Sequence, residues 1–192
     1  MTCDCSSLSS AKKMFGVLVF ALAACTACAG QVRSNSHASD GWNKVSLREV
    51  CFEGKGNRYG SVMNLGPGRL VGAIKLVYKH GTIRCVSNTA YNSRWGCHHY
   101  WKNYPLDVVI TDKNNEVIYP KSEFIRHSSG KWYYLPFTNE QHSDELVFTD
   151  FCKPFYFPSY AEMRIWYGED LTGWGEGDNQ GRVCVDVYAR FM

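Results

Sequence analysis

The chain has 192 residues, is 45% hydrophobic and 15% aromatic, and carries a formal net charge of +3. That length suits one domain able to bury a real core once a leader is removed. Both signs of charge are interspersed, with no block of like charge and no low-complexity run, so nothing electrostatic points to nucleic acid.

Residues 1–29 read as a secretory signal peptide. Lys12 and Lys13 precede an apolar run, Met14 to Ala24, and Ala27 and Ala29 form a small-residue cleavage site. The run is shorter than the roughly 20 apolar residues of a membrane-spanning helix. Leu22 to Cys25 also fits a lipobox, and that alternative would anchor the protein by lipid at Cys25. Residues 30–41 are a polar, flexible lead-in, and residues 42–192 form a single domain.

Five cysteines follow the leader: Cys51, Cys85, Cys97, Cys152 and Cys184. They contain no C-x-x-C pair, which argues against a zinc ribbon. In an exported chain they read as disulfides. Cys85 and Cys97 flank one loop and make the first expected pair. Cys51 and Cys184 lie on the first and last expected strands, which are neighbours in many β-sandwiches, and make the second. Cys152 is left over as a candidate link to a disulfide-bonded partner.

Val45 to Phe52 is the first expected strand, and the glycine-rich stretch Glu53 to Gly68 reads as a long loop. Arg69 to Lys79 is a strand that His80-Gly81 turns into Thr82 to Val86. Ser87 to Tyr104 is a second long loop, holding Tyr91, Trp95, Tyr100 and Trp101. Leu106 to Thr111 and Glu116 to Tyr119 flank an Asp/Asn-rich hairpin turn. Lys131 to Leu135, Glu145 to Thr149, Glu162 to Tyr167 and Arg182 to Phe191 complete the set. About nine short strands with Gly/Pro turns and no helix-period segment predict an all-β sandwich or jelly roll, stapled by disulfides.

Gly168 to Tyr188 carries the strongest chemistry. Its first half sets Glu169, Asp170, Glu176, Asp178 and Asn179 among five glycines, and its second half alternates into a strand. Calcium takes six to eight oxygens from a chain that bends sharply, so these five side chains are candidate calcium ligands. The spacing is not that of an EF-hand. The competing reading is a solvated acidic turn.

In the segment Trp95-Gly96-Cys97-His98-His99-Tyr100-Trp101, the adjacent histidines point to opposite faces of an extended chain and do not share one metal. The rings are the better lead. Trp95, Trp101 and Trp174 are candidate stacking surfaces for sugars, against the alternative that such rings anchor loops to the core. No catalytic motif occurs. Glu162, Glu169, Asp170 and Asp178 could in principle make a carboxylate pair for glycoside hydrolysis, but sequence does not set the pair's separation, and no enzyme activity is expected.

Asp178-Asn179-Gln180-Gly181, followed by Val183, Val185 and Val187, resembles the closing loop and last strand of calcium-dependent β-sandwich lectins and galactose-binding-like domains. That resemblance implies a calcium that touches sugar hydroxyls. Trp95-Gly96-Cys97, the run Arg164 to Leu171 and the ending Asp178 to Ala189 resemble small secreted cnidarian proteins of the coral skeletal organic matrix type. That resemblance implies secretion and a matrix role. The expected protein is an extracellular module binding carbohydrate or matrix, with calcium as cofactor. The alternatives are a metal-free structural protein linked to its partner through Cys152, and a secreted hydrolase or toxin.

Overall fold

The computed structural model describes residues 41–99 and 103–192. The expected signal peptide, Cys25 and most of the expected lead-in lie outside these residues, as do Tyr100 and Trp101. Twelve strands follow in chain order: β1 (Asn43–Lys44), β2 (Val50–Glu53), β3 (Gly60–Met63), β4 (Arg69–Arg84), β5 (Val108–Asp112), β6 (Val117–Tyr119), β7 (Ile125–His127), β8 (Trp132–Tyr133), β9 (Glu145–Thr149), β10 (Phe155–Phe157), β11 (Glu162–Tyr167) and β12 (Gln180–Phe191). A one-turn helix, α1 (Gly168–Thr172), joins β11 to the loop before β12.

Every strand pairing is antiparallel. One sheet runs β1-β12-β4-β10, with β2 also on β12 and β9 also on β4. A second runs β3-β11-β5-β6, and β7 pairs with β8. The two large sheets share one apolar core, with Phe52, Ile74, Leu76, Val183 and Val185 from the first and Val109, Ile110, Met163 and Ile165 from the second. The expected β-sandwich is therefore present.

The strand centres explain the burial. In β11, Met163, Ile165 and Tyr167 are all fully buried, as their alternation predicts. Trp166 on the opposite face is also buried, beneath the Tyr59 ring 4.7 Å away. The middle of β12, Val183 to Val187, is buried at every position because β4 and the β1/β2 edge flank it.

The expected turn at His80-Gly81 is not a turn. β4 runs through it for 16 residues beside β12, with register shifts between Cys184 and Val185 and between Arg190 and Phe191. Gly81 has φ +97°, and a Cβ there would lie 2.1 Å from the Arg182 carbonyl oxygen. The glycine thus serves a close strand crossing, as bulge glycines do. The expected loop from Glu53 to Gly68 also hides a strand, β3, held by β11 through the Met163–Val62 register.

Both expected disulfides form. Cys51 and Cys184 are directly opposed on β2 and β12, with Cα atoms 4.0 Å apart. Cys85 and Cys97 close a 12-residue separation. Cys152 is exposed and belongs to neither bridge.

Candidate functional site

β11 delivers the acidic loop to one end of the domain. After Tyr167 the chain makes the single turn of α1, closed by Gly173 at φ 65° with its N–H bonded to the Glu169 and Asp170 carbonyls. Glycine is suited to this left-handed position. A 3₁₀ turn, Glu176 to Asp178, then leads to Asn179 and β12.

The five predicted ligands separate into three environments. Glu169 is buried and accepts a hydrogen bond from Trp132 Nε1 at 2.9 Å. Its backbone N–H donates to Asp107 Oδ2 at 3.1 Å. Glu169 is thus engaged in holding α1 against β8. Asp178 is exposed at the loop tip. Asp170, Glu176 and Asn179 face a common segment, residues 54–58. Asn57 and Arg58 donate their backbone N–H groups to the two oxygens of Asp170, at 2.8 and 3.1 Å. Gly56 N–H donates to Glu176 at 3.4 Å. Asn179 donates its Nδ2 to the Gly54 carbonyl at 3.0 Å.

This segment turns through Gly56 at φ 90° and Asn57 at φ 59°. The bend lets three successive N–H groups converge on two carboxylates, a nest of the kind that cradles anions. The nest fixes the acids and leaves lone pairs unused. Burial, together with the Glu176 carboxylate that accepts its proton, pushes the Asp170 pKa up to about 6, against the lowering effect of the Asn57 and Arg58 donors. Asn179 is fully buried, and its Oδ1 has no hydrogen-bond partner among the described residues. A buried amide oxygen without a donor is unfavourable by about 1–3 kcal/mol.

Two neighbouring carboxylates and an unsatisfied amide oxygen on one short segment are a donor set that suits a hard cation. Among the described residues the loop does not gather three carboxylates, histidines or cysteines within 4.8 Å; Glu49, His80 and Cys184 alone do so. That second group offers no site, because the sulfur of Cys184 is in a disulfide and His80 is paired with Glu49 at 3.2 Å.

The aromatic candidates also separate. Trp95 is fully buried, with Nε1 donating to the Ser143 carbonyl at 2.7 Å, so it is a loop anchor and not a sugar platform. Trp101 lies outside the described residues. Trp174 is 43% exposed on the acidic loop, and its ring leans on His127 with centroids 4.6 Å apart. His98 is bound to Glu140 at 2.6 Å, and His99 stacks on Tyr91, so the two histidines diverge as expected.

Several participants were missed by sequence reasoning. Asp107 is fully buried under α1, receives the Gly168 and Glu169 N–H groups, and helps burial hold Tyr133 and Tyr167 well above the usual phenol range. The 54–58 turn reads as loop from its glycines, although Gly-x-Gly-Asn is a signal for consecutive left-handed residues. Beside α1 lies a cavity of about 410 Å³ bounded by the β5–β6 turn, residues 122–125, Lys131 and the end of α1. A groove of about 660 Å³ follows the edges of β2 and β3.

The chain matches no protein-family model and no curated protein. Among solved structures it is similar to AJLec from the sea anemone Anthopleura japonica, with 36% identity and a TM-score of 0.72. The match covers 79% of this chain and 97% of that one. At that identity and coverage, the chain belongs to the family of AJLec, a sea anemone lectin.

Proposed function

We propose that this domain is a secreted lectin. In this reading it engages carbohydrate at the end formed by the acidic loop and the 54–58 turn, with a calcium ion held by Asp170, Glu176 and Asn179. Membership of the AJLec family supports carbohydrate binding. The observation that most supports this reading is the buried Asn179 Oδ1, which has no donor among the described residues, while its Nδ2 bonds the same 54–58 segment that holds the two carboxylates. Trp174 supplies an exposed ring on the same loop, suited to the apolar face of a pyranose. When bound, calcium supplies positive charge and open coordination positions for sugar hydroxyls. The N–H groups of Gly56, Asn57 and Arg58 hold the Glu176 and Asp170 carboxylates that would carry the ion. The leader pattern and the two disulfides favour an extracellular setting.

A neutral-glycan array probed with and without EDTA tests both parts. Binding that EDTA abolishes is the expected result. Binding that survives EDTA removes the cation and keeps the lectin, and no binding to any glycan removes both. A melting curve gives the second readout. Calcium held only by the folded state raises the melting temperature, and a curve unchanged by about 1–10 mM calcium rejects the cation.

A further inference from the structure

The cavity of about 410 Å³ beside α1 is unused by the site above. Its apolar wall comes from Val117, Ile125 and Leu171, and two charged residues, Glu116 and Lys131, also line it. No ion pair joins those two, and neither side chain has a hydrogen-bond or ion-pair partner among the described residues. Lys131 is half-buried and Glu116 is exposed, so the cavity's edge presents a hydrogen-bond donor and an acceptor that are not engaged with each other. Lys131 is also kept at φ 60°, a conformation unfavourable for a side chain with a Cβ. Its neighbour Gly130 touches the Trp174 ring, since a Cβ on that glycine would lie 3.0 Å from it. Thr172, which lines the cavity, stands two residues before Trp174 and bonds the Ser129 carbonyl. The cavity and the exposed ring therefore border the same turn.

We propose that this cavity is a subsite for a second, neutral pyranose of an oligosaccharide whose first sugar lies at Trp174. The inference rests on the lectin reading and extends it. A neutral sugar suits the two charges better than an ion of either sign. Its hydroxyls donate to the Glu116 carboxylate and accept from the Lys131 ammonium, whereas an anion would face Glu116 and a cation would face Lys131. The ring's C–H face lies on Val117, Ile125 and Leu171, as in sites with an apolar wall and a few placed polar groups.

The test is calorimetric titration of the full domain in calcium. The probes are the methyl glycosides of galactose, glucose and mannose, and the disaccharides lactose, cellobiose and mannobiose. For the series that binds, the wild type should hold the disaccharide about tenfold tighter than the methyl glycoside, the worth of one or two good hydrogen bonds. Lys131→Gly and Glu116→Gln should each lose most of that gain and leave methyl glycoside affinity unchanged. Lys131→Gly also relieves the left-handed residue, so its melting temperature should equal or exceed the wild type. Binding loss in this variant is then not a folding defect. Disaccharide affinities within twofold of wild type in both variants overturn the subsite and leave the lectin standing. A wild type that binds none of the six sugars, and nothing on the array, overturns both.

Discussion

Trp95 in the aromatic loop and Trp174 in the acidic loop are the same side chain in opposite circumstances. Trp95 has every polar atom matched and no exposed surface, with its Nε1 on the Ser143 carbonyl and the Cys85–Cys97 bridge beside it. Trp174 keeps 43% of its surface in solvent and rests on one histidine ring. The contrast extends to two further side chains of the aromatic loop, His98 and Arg94. His98 is matched to Glu140, and Arg94 reaches Asp144 and the His142 carbonyl. The acidic loop instead keeps a buried amide oxygen with no donor among the described residues and an acid, Asp170, whose pKa burial pushes up to about 6. Aromatic and acidic residues mark both loops as candidates, but only groups that the fold leaves unmatched remain available to a ligand.

The largest expected effect breaks the aromatic loop. Trp95→Ala removes a fully buried ring and should lower unfolding free energy by about 3–5 kcal/mol. Urea denaturation of the oxidised protein measures this. A loss below about 1 kcal/mol would mean that Trp95 is not the anchor of its loop.

Asn179→Ala should cost less, no more than about 1–3 kcal/mol, because it leaves the Gly54 carbonyl without its donor but also removes the unmatched Oδ1. Its sharper consequence concerns the ion, since the calcium-dependent rise in melting temperature should disappear. A variant that still responds fully to calcium would place the cation elsewhere and reduce Asn179 to a loop tie.

These two residues also show how far the sequence could be read. The strands β11 and β12 were legible because apolar residues alternate at Met163, Ile165 and Tyr167 and at Val183, Val185 and Val187, and both strands lie in sheet interiors. Strand β3 was not, since Gly60 to Met63 has only two apolar side chains, the adjacent Val62 and Met63, and depends on β11 for its definition. The acidic residues were legible as candidates, but their sorting was not. Asp170 meets Asn57 across 113 positions, Glu176 meets Gly56 across 120, and Asn179 meets Gly54 across 125. No local pattern reports which acid will face that turn and which, like Glu169, will be engaged by Trp132. The same holds for Trp95, whose burial is set by residues near Ser143.

A pH series sharpens the acidic side of the comparison. Without calcium, the folded state holds the Asp170 proton up to about pH 6, while the unfolded chain releases it near 4. Between these values the native state binds more protons, so stability contributed here falls as pH rises through the window and levels above it. Glu176→Gln removes the neighbouring charge and gives Asp170 a donor, which lowers its pKa and should flatten that slope. Burial keeps part of the shift. Calcium and the proton compete for the same oxygens, so the calcium-dependent melting shift should be full at pH 7.5 and largely lost at pH 5. A shift equal at both pH values would separate the cation from Asp170.

The smallest expected change in stability belongs to Trp174→Ala. The ring is partly solvated and packs mainly on His127 and the Gly130 turn, so its removal should cost no more than about 1 kcal/mol. Lost ring stacking should nonetheless weaken sugar binding about tenfold, in line with the worth of an aromatic contact. Set against Trp95→Ala, this inverts the comparison: one tryptophan carries stability, and the other carries binding at little cost to the fold. Calorimetry with the best array glycan, beside a melting curve, measures both quantities on one sample. Equal glycan affinity in wild type and Trp174→Ala would move the sugar away from the acidic loop, and with it the adjoining subsite at Lys131.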